Sequence, residues 1–154
     1  MLNFLRWIAF LPCACLAHFV LYLILSFFVS IVLIVPRFVT DALLGFKTEY
    51  YFLIFQCWVA YIGTSSFSVM IGSIVAPSHR LASLVLFVLY TLTSSIGIWL
   101  ILVGKINDIT LYGDIIVKGS LPSLAAFVGS IFGAGCIFYF ITFGGLRESF
   151  DEIP

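Results

Sequence analysis

The hydrophobic positions of this chain form four long runs that carry no formal charge. The charged residues that bound them enclose 30 residues between Arg6 and Arg37, 30 between Glu49 and Arg80, 24 between Arg80 and Lys105, and 28 between Lys118 and Arg147. A membrane-spanning helix needs about 20 apolar residues, so each run holds one helix and none holds two. The sequence therefore predicts four spans, near Leu11–Val35, Tyr51–Val75, Leu81–Val103 and Leu121–Phe143.

The runs favour helices over the strands of a β-barrel. A barrel strand alternates apolar and polar residues over segments of about 10 residues, whereas the stretch from Phe19 to Phe28 is continuously apolar apart from Tyr22 and Ser26. In hydrocarbon, a helix satisfies its own backbone hydrogen bonds. We expect an all-α integral membrane protein, with residues 1–154 forming one antiparallel bundle of four transmembrane helices.

Composition agrees with this fold class and excludes several others. The chain has 154 residues, of which 63% are apolar and 9% charged, with a net charge of zero. An ordinary soluble domain has about 25% charged residues. The composition excludes a free cytosolic enzyme, a nucleic-acid binder with a basic patch, and a disordered chain.

The first run is too long for a signal peptide, whose apolar core has about 7–15 residues. The residues before Cys13 and Cys15 also lack the small-residue pattern of a cleavage site. We therefore expect this run to remain as a span in the bacterial inner membrane. Positive charges do not fix the orientation, because cytoplasmic termini would place three cations inside and four outside. The short basic turn Ala76–Arg80, which has no acid, favours cytoplasmic termini.

Two long loops contain further structure. Pro36 is expected to end the first span. The following segment to Tyr50 mixes apolar residues with Asp41 and Lys47, and is expected to be an amphipathic piece on the membrane surface or a loop packed on the bundle. In the third loop, Gly113-Asp114 separates Ile109–Tyr112 from Ile115–Lys118, which predicts a β-hairpin with a two-residue turn. An amphipathic helix is the alternative there.

The spans contain no residue set that predicts catalysis, a metal or a cofactor. They contain no Asp, Glu, Lys or Arg, which argues against pumps and ion-coupled transporters. The chain has no zinc-protease, nucleophile-elbow, phosphate-loop or dinucleotide motif. His18 is the one imidazole well inside a span. It is interpreted as a sensor of protons, or as a neutral side chain bonded to Ser or Thr of another helix.

Small and hydroxylic residues form ordered rows in spans two, three and four. Rows of small residues allow close contact between helices or between subunits, and here they comprise Ser68, Gly72, Ala76, Ala125, Gly129 and Gly133. A polar layer at similar depth in two neighbouring spans is predicted from Thr64, Ser65, Ser68, Thr91, Ser94 and Ser95. Packing inside one bundle, a subunit interface and a pore lining are all compatible with these rows.

Three functions remain compatible with this sequence. The first is a non-catalytic anchor or sensor subunit of a larger complex, in phage defence, phage exclusion or envelope stress by analogy of architecture. The second is a small homo-oligomeric channel, and the third is an immunity protein against a membrane-inserting toxin. The expected partners are the lipid bilayer and either further copies of the chain or a soluble cytoplasmic protein, with no nucleic acid and no small-molecule substrate. Residues expected to dock such a protein are Arg80, Arg147, Glu148, Asp151 and Glu152.

Overall fold

Four helices make up most of the chain. The computed structural model describes residues 2–43, 46–104, 108–110, 116–118 and 120–144. The helices are α1 (Leu2–Leu43), α2 (Phe46–Val75), α3 (His79–Leu102) and α4 (Ser120–Phe143), and the strands are β1 (Asp108–Thr110) and β2 (Ile116–Lys118).

Each helix has a stretch that is long and apolar enough to cross a membrane. These stretches are Asn3–Leu25, Cys57–Val75, His79–Leu102 and Ser123–Phe143. The prediction of a helical chain with four candidate spans is confirmed. The stretch in α1 begins before the predicted Leu11 and includes Arg6, whose long side chain can reach the headgroup level.

The expectation that Pro36 ends the first helix is wrong. Helix α1 continues through Pro36 to Leu43, and α2 begins at Phe46. The segment predicted as a surface loop is therefore helical at both ends, and residues 44 and 45 lie outside the described part. Proline removes one backbone N–H, and long apolar helices can tolerate this loss when the neighbouring turns remain bonded.

The third loop contains a short antiparallel strand pair in a different register from the predicted one. A two-residue turn at Gly113-Asp114 would pair Thr110 with Val117. Instead Thr110 pairs with Ile116 and Asp108 with Lys118. Five residues, 111–115, therefore connect the strands, and they lie outside the described part of the chain. Strand β1 contacts α4, which places the pair against the bundle.

Helix α2 is the central helix, because it contacts α1, α3 and α4. Gly129 and Gly133 of α4 meet Trp58 and Ile62 of α2, so these two helices run parallel. Helix α1 runs antiparallel to α2, since Phe10 lies near Gly72 whereas Leu25 lies near Gly63.

Among the described residues, small side chains are frequent in the core beside a few large ones such as Phe10 and Leu86, and many other large apolar side chains point outward. Fully buried positions include Ala14, Ala82 and Ala134, whereas Phe132 and Trp99 are 55% and 60% exposed. Where burial is described, the buried polar residues are serines and threonines, namely Thr64, Ser65, Ser68, Ser73, Ser83, Ser94, Ser123 and Ser130. This distribution suits a helical bundle in lipid, where close backbone contact and hydrogen bonds hold helices together and large apolar side chains face the acyl chains.

Candidate functional site

A polar cluster joins α1, α2 and α3 inside the bundle. The Tyr90 hydroxyl of α3 lies 2.8 Å from Nδ1 of His18 on α1. The Ser68 hydroxyl of α2 donates to the Ala14 carbonyl of α1 at 2.7 Å and also lies beside the Tyr90 hydroxyl. The backbone of Thr64 is a further hydrogen-bonding neighbour of the imidazole. We call His18, Tyr90, Ser68 and the backbone of Thr64 the His18 cluster.

The local sequence explains why these side chains meet. Ala14 and His18 are one helical turn apart, as are Thr64 and Ser68, so each pair lies on one helix face. Gly72, the next residue of the α2 row, removes the side chain that would keep the helices apart. A Cβ at Gly72 would lie 2.6 Å from Cδ1 of Leu86 and 3.0 Å from Cβ of Ala14. Close approach at Gly72 therefore brings α1 and α3 within hydrogen-bonding distance of each other next to Ser68.

The small-residue row of α4 packs on α2 within the same chain. A Cβ at Gly129 would lie 2.7 Å from the Trp58 carbonyl oxygen, and one at Gly133 would overlap the Ile62 carbonyl oxygen. The Ser66 hydroxyl donates to the Gly133 carbonyl at 3.1 Å. The third member of this row, Ala125, is half-buried, whereas its neighbour Ala126 is fully buried. Both glycines are therefore in close contact with α2 of the same chain.

The row of α2 is also covered by its own chain. Ser68 and Ala76 are 2% and 1% exposed, and Gly72 is buried between α1 and α3. These three residues therefore face neighbouring helices of the same bundle. Their packing here supports the intrachain interpretation of the row, while its role in function stays a prediction.

Three of the six hydroxyls of the predicted polar layer bond to carbonyls of their own helix. Thr64 and Ser65 donate to the Tyr61 carbonyl, at 3.3 and 2.7 Å. Thr91 donates to the Phe87 carbonyl at 2.8 Å. The layer is also divided by exposure, because Ser94 is buried and Ser95 is exposed. Ser68 is the one hydroxyl of this layer that joins the His18 cluster, so these residues do not form one continuous polar surface.

The predicted docking residues are placed only in part. Arg80 is exposed in the first turn of α3, and its carbonyl accepts a hydrogen bond from Ser83 at 2.9 Å. Beside it, Nδ1 of His79 bonds to the Ser73 carbonyl. The tail residues Arg147, Glu148, Asp151 and Glu152 lie outside the described residues. Helix α4 ends at Phe143, directly before Gly144.

The four cysteines form no disulfide. Cys57 is fully buried, Cys13 and Cys136 are half-buried, and Cys15 is exposed on α1. Across the described ranges, no three His, Cys, Asp or Glu side chains come together in a way that could hold a metal ion.

Tyr90 is the cluster residue that sequence reasoning missed. A hydroxyl-bearing aromatic residue near the middle of an apolar span is a usable signal, because a buried tyrosine usually bonds through its hydroxyl. The sequence alone offered Ser and Thr as partners of His18, and the structure uses Tyr90 for the imidazole and Ser68 for the backbone of α1.

Comparisons with protein-family models, with curated proteins and with solved structures found no match to this chain.

Proposed function

We propose that this protein is a non-catalytic membrane subunit that anchors, or relays a signal to, a soluble partner protein on the side of its termini. The observation that supports this proposal best is that the buried polar and small residues contact other helices of the same chain. In the described part of the spans, they hold helices of one chain together, through contacts such as Ser68 to Ala14 and Ser66 to Gly133. We therefore propose that partner binding takes place outside the spans.

The bundle topology supports one end as the docking surface. The start of α1, the turn between α2 and α3, and the end of α4 lie at the same end, because α1 and α3 run antiparallel to α2 and α4. This end presents Arg6 and Arg80 as exposed cations. It is also where the chain leaves α4 at Gly144 towards Arg147, Glu148, Asp151 and Glu152. Exposed cations at this end suit a polar partner surface, where charge complementarity steers association.

The same packing gives less support to a channel made of several copies. Such a channel needs polar side chains directed at its lumen. Thr64, Ser65 and Thr91 instead bond to carbonyls of their own helices. Among the predicted lining residues, Ser95 is exposed at the surface of the bundle.

The test is the composition of the complex extracted from the native host in mild detergent. We expect the untagged chain to have a native mass that includes a second, soluble protein in fixed proportion. A variant with Arg80→Ala and neutral substitutions at Arg147, Glu148, Asp151 and Glu152 should lose this partner. A matched control, with Lys105→Ala and Lys118→Ala in the loop at the opposite end, should retain it.

Two results would contradict the proposal. A complex of identical chains that conducts ions in a planar bilayer would instead support the channel. A lone monomer that protects cells from one membrane-inserting toxin would support the immunity role. A reporter fused after Pro154 tests the orientation, since we propose that both termini are cytoplasmic.

A further inference from the structure

We propose that His18 is a reversible proton-binding site inside the bundle, and that the Tyr90 hydroxyl changes from donor to acceptor towards His18 when the proton binds. Proton binding by His18 would be the signal for the proposed sensor role. Only this biological role rests on the proposed function. The proton binding itself is a property of the isolated chain and is tested without a partner.

The contacts of the cluster define the neutral state. In a neutral imidazole one nitrogen carries the hydrogen and the other accepts, and we assign the hydrogen to Nε2, which leaves Nδ1 to face the Tyr90 hydroxyl. Nδ1 is then an acceptor, and the Tyr90 hydroxyl donates to it across 2.8 Å. The Ser68 hydroxyl donates to the Ala14 carbonyl at 2.7 Å. Each of these groups has a hydrogen-bond partner.

The same contacts can also satisfy the charged state. A proton added at Nδ1 makes both ring nitrogens donors. The Tyr90 oxygen can then accept from Nδ1, and its hydroxyl hydrogen can turn to the Ser68 oxygen, which lies beside it. Ser68 keeps its bond to the Ala14 carbonyl. The added N–H is therefore satisfied by rotation of one hydroxyl, and no helix has to move.

The rearrangement depends on the groups that surround His18. The titratable or polar groups around the cluster are Cys15 on α1, Ser68 on α2 and Tyr90 on α3, with Tyr22 and Tyr61 about one turn away. None of these is a carboxylate or a cation. The imidazolium would therefore be stabilised by hydroxyl and carbonyl dipoles rather than by a counter-ion, which makes Tyr90 decisive. A phenylalanine there would leave the new N–H without an acceptor, and an unsatisfied buried donor is costly.

The experiment is a pH titration of the full chain in detergent micelles with histidine-specific nitrogen-isotope labelling. The chain has two histidines, so His79→Gln leaves His18 as the only reporter. As the pH is lowered from about 8 over the range in which the bundle stays folded, we expect the imidazole signals to change from a neutral ring with hydrogen on Nε2 to a charged ring, and to return when the pH is raised. Far-UV circular dichroism should show constant helix content.

Variants test whether the His18 cluster controls proton binding by His18. In Tyr90→Phe, half-protonation of His18 should need a proton concentration about tenfold higher than in the parent chain, because one hydrogen bond to the charged ring is lost. Ser68→Ala should change the midpoint in the same direction by a smaller factor, and it decides the question if Tyr90→Phe does not fold. Tyr139→Phe, at an exposed tyrosine of α4, is the matched control and should titrate like the parent.

Two outcomes would overturn the inference. One is a folded bundle in which His18 stays neutral throughout the titration. The other is a set of variants, Tyr90→Phe and Ser68→Ala, that titrate like the parent chain. Either result leaves the proposed partner binding untouched, since that is measured by the composition of the native complex.

Discussion

The contact between α2 and α4 predicts that a single methyl group at Gly133 destabilises the bundle. A Cβ there would overlap both the Ile62 carbonyl oxygen and the Ser65 hydroxyl, and would lie 2.9 Å from Cα of Ile62. These neighbours are a backbone and a short buried side chain, so no flexible group can move aside. Gly133→Ala should therefore push α4 away from α2.

The cost can be worked from this geometry. Overpacking by one methyl group costs about 1–3 kcal/mol. Separation of the helices also weakens the bond from Ser66 to the Gly133 carbonyl, now 3.1 Å, and such an interhelical bond contributes about 0.6 kcal/mol. Compared with a Gly→Ala substitution that makes no close contact, we expect a loss of about 1–3.5 kcal/mol in the free energy of unfolding.

The assay is unfolding of the purified chain by sodium dodecyl sulfate in mild-detergent micelles, followed by circular dichroism. Gly63→Ala is the matched control, because a Cβ at Gly63 meets only Cδ1 of Leu25 at an ordinary 3.6 Å. Both substitutions gain the same helix propensity, so their difference isolates the helix contact. Equal stability of Gly133→Ala and Gly63→Ala would refute the reasoning.

Two further predictions concern the backbone. Gly104 has a φ of +72°, and a Cβ added there would meet no atom within 4 Å. Gly104→Ala should therefore lower the free energy of unfolding by about 1 kcal/mol through backbone strain alone, with Gly104→Asn milder, measured by the same unfolding assay. Equal effects of Ala and Asn there would contradict the assignment of left-handed backbone. Pro36→Ala restores one backbone N–H inside α1 and should slow hydrogen exchange in the following turn, measured by mass spectrometry on peptides that cover residues 30–43. Fast exchange on both sides of residue 36 in the parent and the variant would show that α1 ends there.

The number of spans could be predicted because charges are expensive in hydrocarbon and therefore mark the limits of each run. Helix α3 begins at His79 and ends at Leu102, close to the predicted Leu81–Val103. A separate expectation failed at Pro36, where the general rule that proline ends a helix was applied to a long apolar helix. A proline removes one hydrogen bond, and the surrounding turns can outweigh that loss.

The partners of the polar residues could not be predicted, because sequence spacing fixes the face of a helix but not the neighbour of that face. The sequence predicts that the hydroxyls of spans two and three lie at similar depth, as one polar layer. Instead Ser66 reaches α4, Ser68 reaches α1, and Thr91 bonds to its own helix. The hairpin register was also missed, since it depends on the conformation of the whole connection rather than on the Gly113-Asp114 pair alone.

The central claim is that the small-residue rows hold one chain together, and cross-linking between α2 and α4 tests it most directly. The rings of Trp58 and Phe132 lie 6.2 Å apart between these helices. In a chain whose four native cysteines are changed to serine, Trp58→Cys with Phe132→Cys should be joined by a short thiol cross-linker in membranes. The account predicts a cross-linked product of monomer mass, even when tagged and untagged chains are mixed, and none from either single-cysteine chain. Cross-linked products of dimer mass, including dimers of a tagged with an untagged chain, and none of monomer mass would contradict the account. Such a result would assign the rows to a subunit interface.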